Sequence, residues 1–439
     1  MDFTVKNLGE CKIKINDVVT GFIPDGYLVP DSRHVLYDIM IDEDGFKESS
    51  LYTTFEMAGP RERIFFEPSK TKCAIVTCGG LCPGLNNVIR SIVMECWYKY
   101  GCRSIFGIRY GYSGLNPASG YMPMELTPDI VKDIHLNGGT ILGSSRGGAE
   151  DLSIQVAALQ KMGVNILFAI GGDGTLRGAH KISEIAESMG YKLSVIGVPK
   201  TIDNDISYIQ KSFGFETSFT KAVDAIYSAH IEAKGVPNGI GLVKLMGRYS
   251  GFIAANAALA MNDVNFLLIP EVRFDLYGAK GFLSCLEDRL RNRGHAVVCV
   301  AEGAGQDLIN AEKGGSETYD ASGNLALGDI GLFLKDKIKD YFKEKKFEVS
   351  IKYIDPSYII RSAPACSNDS IFCTMLGQYA VHAGMAGKTD CLIGQWNNVF
   401  IQIPIEMAIS KRKQIDPLSL FWQSVIEATG QPMSMVNDD

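Results

Sequence analysis

Repeatedly along this chain a short apolar run ends on a loop rich in glycine or acid and gives way to a helical pattern. That order is the signature of βα units built on a parallel sheet, and it constrains the fold more than any other feature. Cys73-Ala-Ile-Val-Thr77 runs into Gly79-Gly-Leu-Cys-Pro-Gly84 and a helical stretch from Asn86 to about Tyr98. Ile105–Ile108 is a further strand. Asn165–Ile170 leads to Gly171-Gly-Asp-Gly-Thr175 and a helix through about Met189, and Leu193–Val198 closes on Pro199-Lys-Thr-Ile-Asp-Asn-Asp205. A second series runs through Gly241–Leu245, Phe266–Ile269 and Ala296–Val300, with helices near Glu216–Ala233 and Ser250–Met261. Two such series predict an α/β protein of two lobes with mainly parallel sheets and a cleft between them. The predicted division is a lobe over 71–214, a second over 215–360, and a C-terminal segment over 361–439 that completes both. Residues 1–70 carry turn signals (Asp25-Gly26, Pro30-Asp31, Gly59-Pro60) with little helical periodicity and read as an N-terminal extension of loops and short strands.

Composition removes several classes of function. With 46% apolar and 21% charged residues, the 439-residue chain can bury a large core and is not globally disordered. A net charge of −7 gives no basic footprint for a nucleic-acid backbone. No apolar run reaches the roughly 20 residues that span a bilayer, and Met1–Glu10 has no signal-peptide core. The cysteines number eleven, an odd and scattered set, which predicts reduced thiols and a cytoplasmic protein. The expected partners are therefore small molecules, with neither nucleic acid nor membrane.

The chemistry-bearing residues stand at strand ends, where ligands bind in open α/β sheets. Gly171-Gly-Asp-Gly-Thr175 would bring backbone amides and a helix N-terminus to a phosphate chain, with Asp173 on a Mg²⁺ that bridges phosphate oxygens. It reads equally as a plain βα turn with Asp173 as the helix cap. Gly79-Gly80 with Pro83-Gly84 repeats the theme, and Gly143-Ser-Ser-Arg-Gly147 adds a cation, Arg146. Together these loops favour a nucleotide-triphosphate cradle over three unrelated turns. In Pro199–Asp205 two carboxylates lie two residues apart, after a Lys and a hydroxyl. Phosphoryl transfer needs a carboxylate to accept a proton, a cation to screen the moving charge, and fixed geometry. Asp203 as base, oriented by Asp205 and Thr201 with Lys200 nearby, meets that need; an Asx-rich turn capping the next helix is the other reading. Met246-Gly-Arg248, Glu302-Gly303 and Tyr358-Ile-Ile-Arg361 supply guanidinium forks for phosphate and a carboxylate for sugar hydroxyls. Singly each reads as a surface pair, jointly as a sugar-phosphate pocket.

In this order, the motifs over roughly Lys70 to Gln414 resemble those of the 6-phosphofructokinases. The resemblance implies two Rossmann-like lobes and transfer of a phosphoryl group to the 1-hydroxyl of fructose 6-phosphate, with Mg²⁺, in a homotetramer or homodimer. It implies Asp203 as proton acceptor within a catalytic set of Thr201, Asp203, Asp205, Lys200 and Arg248. It assigns sugar-phosphate contacts to Thr201, Ile202, Asp203, Met246, Gly247, Arg248, Glu302, Tyr358 and Arg361. Donor contacts fall to Gly80, Arg146, Gly147, Gly172, Asp173, Gly174 and Thr175, with Asp173 at the metal. Donor choice turns on two positions. Many ATP-using members have Gly in place of Lys200, and Lys is typical of pyrophosphate-using relatives; those relatives have Asp in place of Gly174. An Asp side chain there would fill and charge the α-phosphate space that Gly leaves open, so ATP is the expected donor. A subgroup of ATP-dependent members combines this Gly with the Lys and has a similar long extension. Leu81 stands where many members have Asp, Tyr358 where shorter members have His, and Gly239 where those members lend an Arg to a neighbouring subunit; Lys352 is the candidate for a cation lent in its stead. A pyrophosphate-dependent phosphotransferase is the near alternative. A lipid or NAD kinase would have no use for Arg248, Glu302 and Arg361, and a catalytically dead subunit would be expected to lose Asp203.

Overall fold

A computed structural model describes residues 2–40, 53–145, 151–312 and 326–437. The chain divides into two compact units, the first comprising Met1–Thr201, Ile206–Gly214 and Ser362–Arg412, the second Ile202–Asp205, Phe215–Arg361 and Lys413–Asp439. The loop after Pro199 thus changes unit between Thr201 and Ile202 and again after Asp205.

Among the described residues the first unit is built on a nine-stranded sheet. Its centre is five parallel strands in the spatial order Cys391–Trp396, Ser194–Pro199, Ile166–Gly171, Lys72–Thr77 and Ser104–Ile108. Ile166–Gly171 and Ser194–Pro199 are buried along their whole length, which is why they read as continuous apolar runs rather than alternating ones. Antiparallel strands finish both edges: Met124–Glu125 beyond Ser104–Ile108, and Val399–Pro404, Thr54–Met57 and His34–Leu36 beyond Cys391–Trp396. The hairpin between Cys391–Trp396 and Val399–Pro404 turns at Asn397 and Asn398, both with positive φ, as a two-residue turn that follows the strand twist requires. The N-terminal extension is part of this body. Phe3, Tyr37, Phe55, Tyr208 and Trp396 pack ring on ring, and the Trp396 indole donates to the Tyr37 carbonyl at 2.8 Å.

Among the described residues the second unit is built on four parallel strands in the order Phe266–Leu268, His295–Ala301, Gly239–Leu245 and Ser350–Ile354. The helix Phe215–Lys234 lies so close to the Gly239–Leu245 strand that a Cβ on Gly239 would stand 2.0 Å from the Ala233 carbonyl oxygen. The far edge of the sheet is finished by a side chain: the Gln431 amide accepts from Leu267 N at 2.6 Å and donates to its carbonyl at 3.3 Å. Among the described residues no helix is long and apolar enough to cross a membrane.

Candidate active site

In both units the glycine- and acid-rich motifs follow the carboxyl ends of parallel strands. In the first, Gly171 ends its strand by accepting from Lys200 N at 3.0 Å, and the chain turns at once into the helix Asp173–Ser188. A Cβ on Gly171 would stand 2.1 Å from the Thr175 hydroxyl, so the turn closes this tightly only on glycine. Gly172 is the N-cap, extended at φ −86°, and offers no side-chain cap. Asp173 is the first helical residue, not the cap. Its carboxylate pairs with Arg177 at 3.2 Å and stands 3.7 Å from Arg412. The first amides of a 16-residue helix therefore have no capping acceptor of their own, the arrangement that receives an anion. A Cβ on Gly174 would meet nothing within 4 Å, so a side chain would be accepted by the protein and would occupy the open space itself. Thr175 is buried, and its carbonyl accepts from the Tyr112 hydroxyl at 2.7 Å.

The first glycine loop is tied to this one. Cys78 N donates to the Ile170 carbonyl at 3.1 Å, and the buried Lys200 ammonium donates to the Gly80 carbonyl at 2.6 Å. Gly79, with φ +85°, would bring a Cβ to 3.1 Å from that ammonium. The third loop approaches through Ser145, whose carbonyl accepts from Gly79 N at 2.9 Å. Arg146 and Gly147, singled out from the sequence, lie outside the described residues.

In the second unit, Asn204 turns with φ +54°, a conformation that asparagine tolerates, and sets Asp203 and Asp205 on either side of the bend. Ser250 Oγ anchors the bend by donating to the Asp203 carbonyl at 2.9 Å. Burial, then the negative charges of Asp205 and Glu302, push the Asp203 carboxyl well above the usual carboxylate range against the opposing pull of Arg248. Burial also raises Glu302, with Arg248, Lys244 and Arg361 opposing. Arg248 and Glu302 reach this place from neighbouring strands. Leu245 and Ala301 are in register, Glu302 N donates to the Leu245 carbonyl at 2.8 Å, and Gly303 N to the Gly247 carbonyl at 3.1 Å. The two loops touch backbone to backbone because both carry glycine: a Cβ on Gly303 would stand 2.0 Å from the Arg248 carbonyl oxygen, and Gly247 takes φ +130°.

The structure therefore gathers Asp203, Asp205, Arg248, Glu302 and Arg361 within one unit, and Gly80, Lys200 and Gly172–Thr175 within the other. Tyr358 is 82% exposed on the helix Ser357–Ser362. Lys352 stands apart, in mid-strand opposite Gly241 and 3.9 Å from Glu232. Gly239 cannot be replaced by an Arg without moving the helix that covers it. Two cations were missed from the sequence. Lys244 bridges Asp329 at 2.9 Å and Asp355 at 2.8 Å. Lys413 donates its backbone N–H to the Asp205 carbonyl at 2.8 Å, and burial pushes its ammonium down to about 7 against the attraction of Asp205. The basic run Lys411-Arg-Lys413 was the available signal for the second. Among the described residues no group of three or more His, Cys, Asp or Glu could hold a metal ion. Asp173, one carboxylate at an open helix start, fits a cation that takes its other ligands from phosphate and water, and does not fit a protein-caged metal.

Comparison with known proteins adds the family. A family model described as phosphofructokinase matches residues 72–384. Over 446 aligned positions, spanning 100% of this chain and 98% of the relative, the chain is 49% identical to the ATP-dependent 6-phosphofructokinase of Borreliella burgdorferi. Among solved structures it is similar to Pichia pastoris phosphofructokinase in the T-state, with a TM-score of 0.63 and 22% identity; the likeness covers 83% of this chain and only 37% of that one. It is also similar to a pyrophosphate-dependent phosphofructokinase from Marinobacter aquaeolei, with a TM-score of 0.66 and 19% identity over 84% and 92% of the two chains. At these identities the structural likeness establishes the fold alone.

Proposed function

The chain belongs to the phosphofructokinase family, and from that premise we propose that it transfers the γ-phosphoryl group of ATP to the 1-hydroxyl of fructose 6-phosphate, giving fructose 1,6-bisphosphate. The observation that carries this reading is the Asp203 carboxyl, raised by burial beside Asp205 and Glu302 and faced by Arg248. A carboxyl tuned upward is suited to take the proton of an attacking alcohol. Arg248 and Arg361 hold the anionic sugar phosphate together with Met246, Gly247 and Tyr358, and Glu302 accepts from sugar hydroxyls. Thr201, Ile202 and Asp205 orient the hexose and the base. On the donor side Gly80, Gly172, Gly174 and Thr175 present backbone to the phosphates, Lys200 adds a positive charge, and Arg146 and Gly147 belong to the same set. Asp173 is the residue that would hold Mg²⁺, which when bound screens the phosphate charges.

Gly174 argues for ATP over pyrophosphate, since the space in front of it is open to an α-phosphate. Lys200 is the feature that favours pyrophosphate, because Lys at this position is typical of pyrophosphate-using relatives. Purified protein supplied with fructose 6-phosphate, Mg²⁺ and either donor separates the two: fructose 1,6-bisphosphate is expected from ATP, and its formation from pyrophosphate alone would overturn the donor assignment. We place the enzyme in the cytoplasm, in keeping with its eleven free cysteines, and as a homotetramer or homodimer in which Lys352 is the cation offered to a neighbour.

A further inference from the structure

Two buried cations in the first unit converge on a single oxygen of a side chain that is itself largely exposed. Arg61 and Lys388 have side chains only 7% and 2% exposed. Arg61 Nε lies 2.7 Å, and Lys388 Nζ 3.1 Å, from the same atom, Asp31 Oδ1. Both cations also meet the same oxygen of Glu56, each at 2.7 Å, and the Gln402 amide donates to that oxygen at 2.6 Å. The result is a closed ring of two cations bridged by two single oxygens. Its two bridges differ. Glu56 is buried within the sheet and tied from three directions, whereas the Asp31 side chain is 66% exposed on the turn that Arg33 N closes on the Pro30 carbonyl. Without Asp31, Arg61 and Lys388 would face a single carboxylate, leaving one buried positive charge unbalanced, a costly state.

The exposed side of this ring opens on a cavity. A hollow of about 280 Å³ is lined by Cys11, Asp31, Arg61, Arg63 and Lys388, and a second of about 570 Å³ shares Val29, Pro30 and Glu62 with it. The second is edged by Lys14, Asn16, Asp17 and Asp25, groups suited to hydroxyls and amines. Together they have the dimensions of a small-metabolite site.

We propose that this hollow is a binding site for a small organic oxyanion, a carboxylate or phosphate ester, whose oxygen takes the position between Arg61 and Lys388 that Asp31 Oδ1 occupies, while its body lies along the neighbouring cavity. Asp31 is then a built-in competitor: it neutralises the two cations in the resting protein and swings outward on its exposed turn when the ligand enters. The arrangement is separate from the catalytic residues, being made by the N-terminal extension and the Lys388–Thr389 strand. It does not depend on which phosphoryl donor the enzyme uses.

Cys11 lines the hollow, so a ligand seated there is expected to shield its thiol. Alkylation of Cys11 in the full-length protein, mapped by peptide mass spectrometry, is followed against inorganic phosphate and, in parallel, succinate at constant ionic strength. Half-exposed Cys285, in the other unit, serves as internal control. The proposal expects one of these anions to slow alkylation at Cys11 and not at Cys285, and the more effective anion identifies the ligand class. Asp31→Ala, on an exposed turn, removes the competitor and should lower the concentration for half-protection about tenfold, because an occupied site weakens apparent affinity by the fraction of time it is free. Lys388→Met should abolish protection. If Lys388→Met does not fold, Asp31→Ala decides alone: half-protection at the wild-type concentration, or no protection by either anion, overturns the proposal.

Discussion

At residues 171–175 the chain turns bare backbone outward; at 203–205, together with Glu302, it crowds three carboxyls into a partly buried place and balances them with guanidinium groups. On the proposed function, the first region binds by what it leaves out. Glycine at 171 lets the turn close on Thr175, glycine at 172 and 174 leaves the helix start without side chains, and the one acid in the loop, Asp173, is turned toward Arg177. The second, on the same reading, works through what it concentrates, since burial and like charge raise the Asp203 carboxyl. On the proposed function, the loop at Gly174 is thus tolerant of substitution in folding and intolerant in function, whereas a charged cluster is sensitive in both.

That contrast can be broken at four points. Of the four, the largest effect is expected at Arg248→Ala, which removes the cation opposing Asp203 and one of the three opposing Glu302; kcat/KM for fructose 6-phosphate should fall about a hundredfold to a thousandfold, by analogy with loss of one preorganised charge-stabilising donor. Measured steady-state kinetics within threefold of wild type would show that the cluster is structural. Gly303→Ala comes next, because its Cβ would stand 2.0 Å from backbone and not from a yielding side chain. Overpacking of this kind costs about 1–3 kcal/mol or more of stability, read as a lower denaturant midpoint, with activity lost alongside.

Gly174→Asp should do the opposite in folding. The backbone there is unstrained, the space is open, and an acid in the first helical turn is favourable. Thermal stability should hold or rise slightly while kcat/KM for ATP falls by about ten- to a hundredfold, or about 1.4–2.7 kcal/mol. Equal losses of stability and activity would contradict an open phosphate space. The smallest effect concerns pH. A carboxyl raised in the folded state contributes stability in acid, below its unfolded pKa, and loses it as pH rises through the folded value. Asp203→Asn removes that loss, so its melting temperature relative to wild type should increase from pH 5 to pH 8.5; a constant difference would mean that Asp203 is not perturbed.

The two regions were also unequally legible in the sequence. Strands buried on both faces, such as Ile166–Gly171 and Ser194–Pro199, announce themselves as unbroken apolar runs, and the glycine loops that follow them declare their tight turns by composition alone. The pairing of Gly247 with Gly303 was not legible, because it depends on two strands being neighbours in register. The same is true of Thr54–Met57, a short strand whose partner, Val399–Pro404, lies more than three hundred residues away. Lys413 was missed for a related reason: a basic run near the C-terminus ordinarily reads as a solvated face, and only the fold brings one of its members to Asp205. Lys200 was recognised for its type, yet its bond to the Gly80 carbonyl spans two loops that sequence cannot orient.

The central claim is that Asp203 takes the proton from the hexose hydroxyl. Single-turnover formation of fructose 1,6-bisphosphate, started from enzyme saturated with ATP, Mg²⁺ and fructose 6-phosphate and stopped by rapid quench, isolates that step from binding and release. For Asp203→Ser the account predicts a rate about a hundredfold to ten-thousandfold below wild type, with substrate affinities little changed. A single-turnover rate equal to wild type would remove Asp203 from the chemistry.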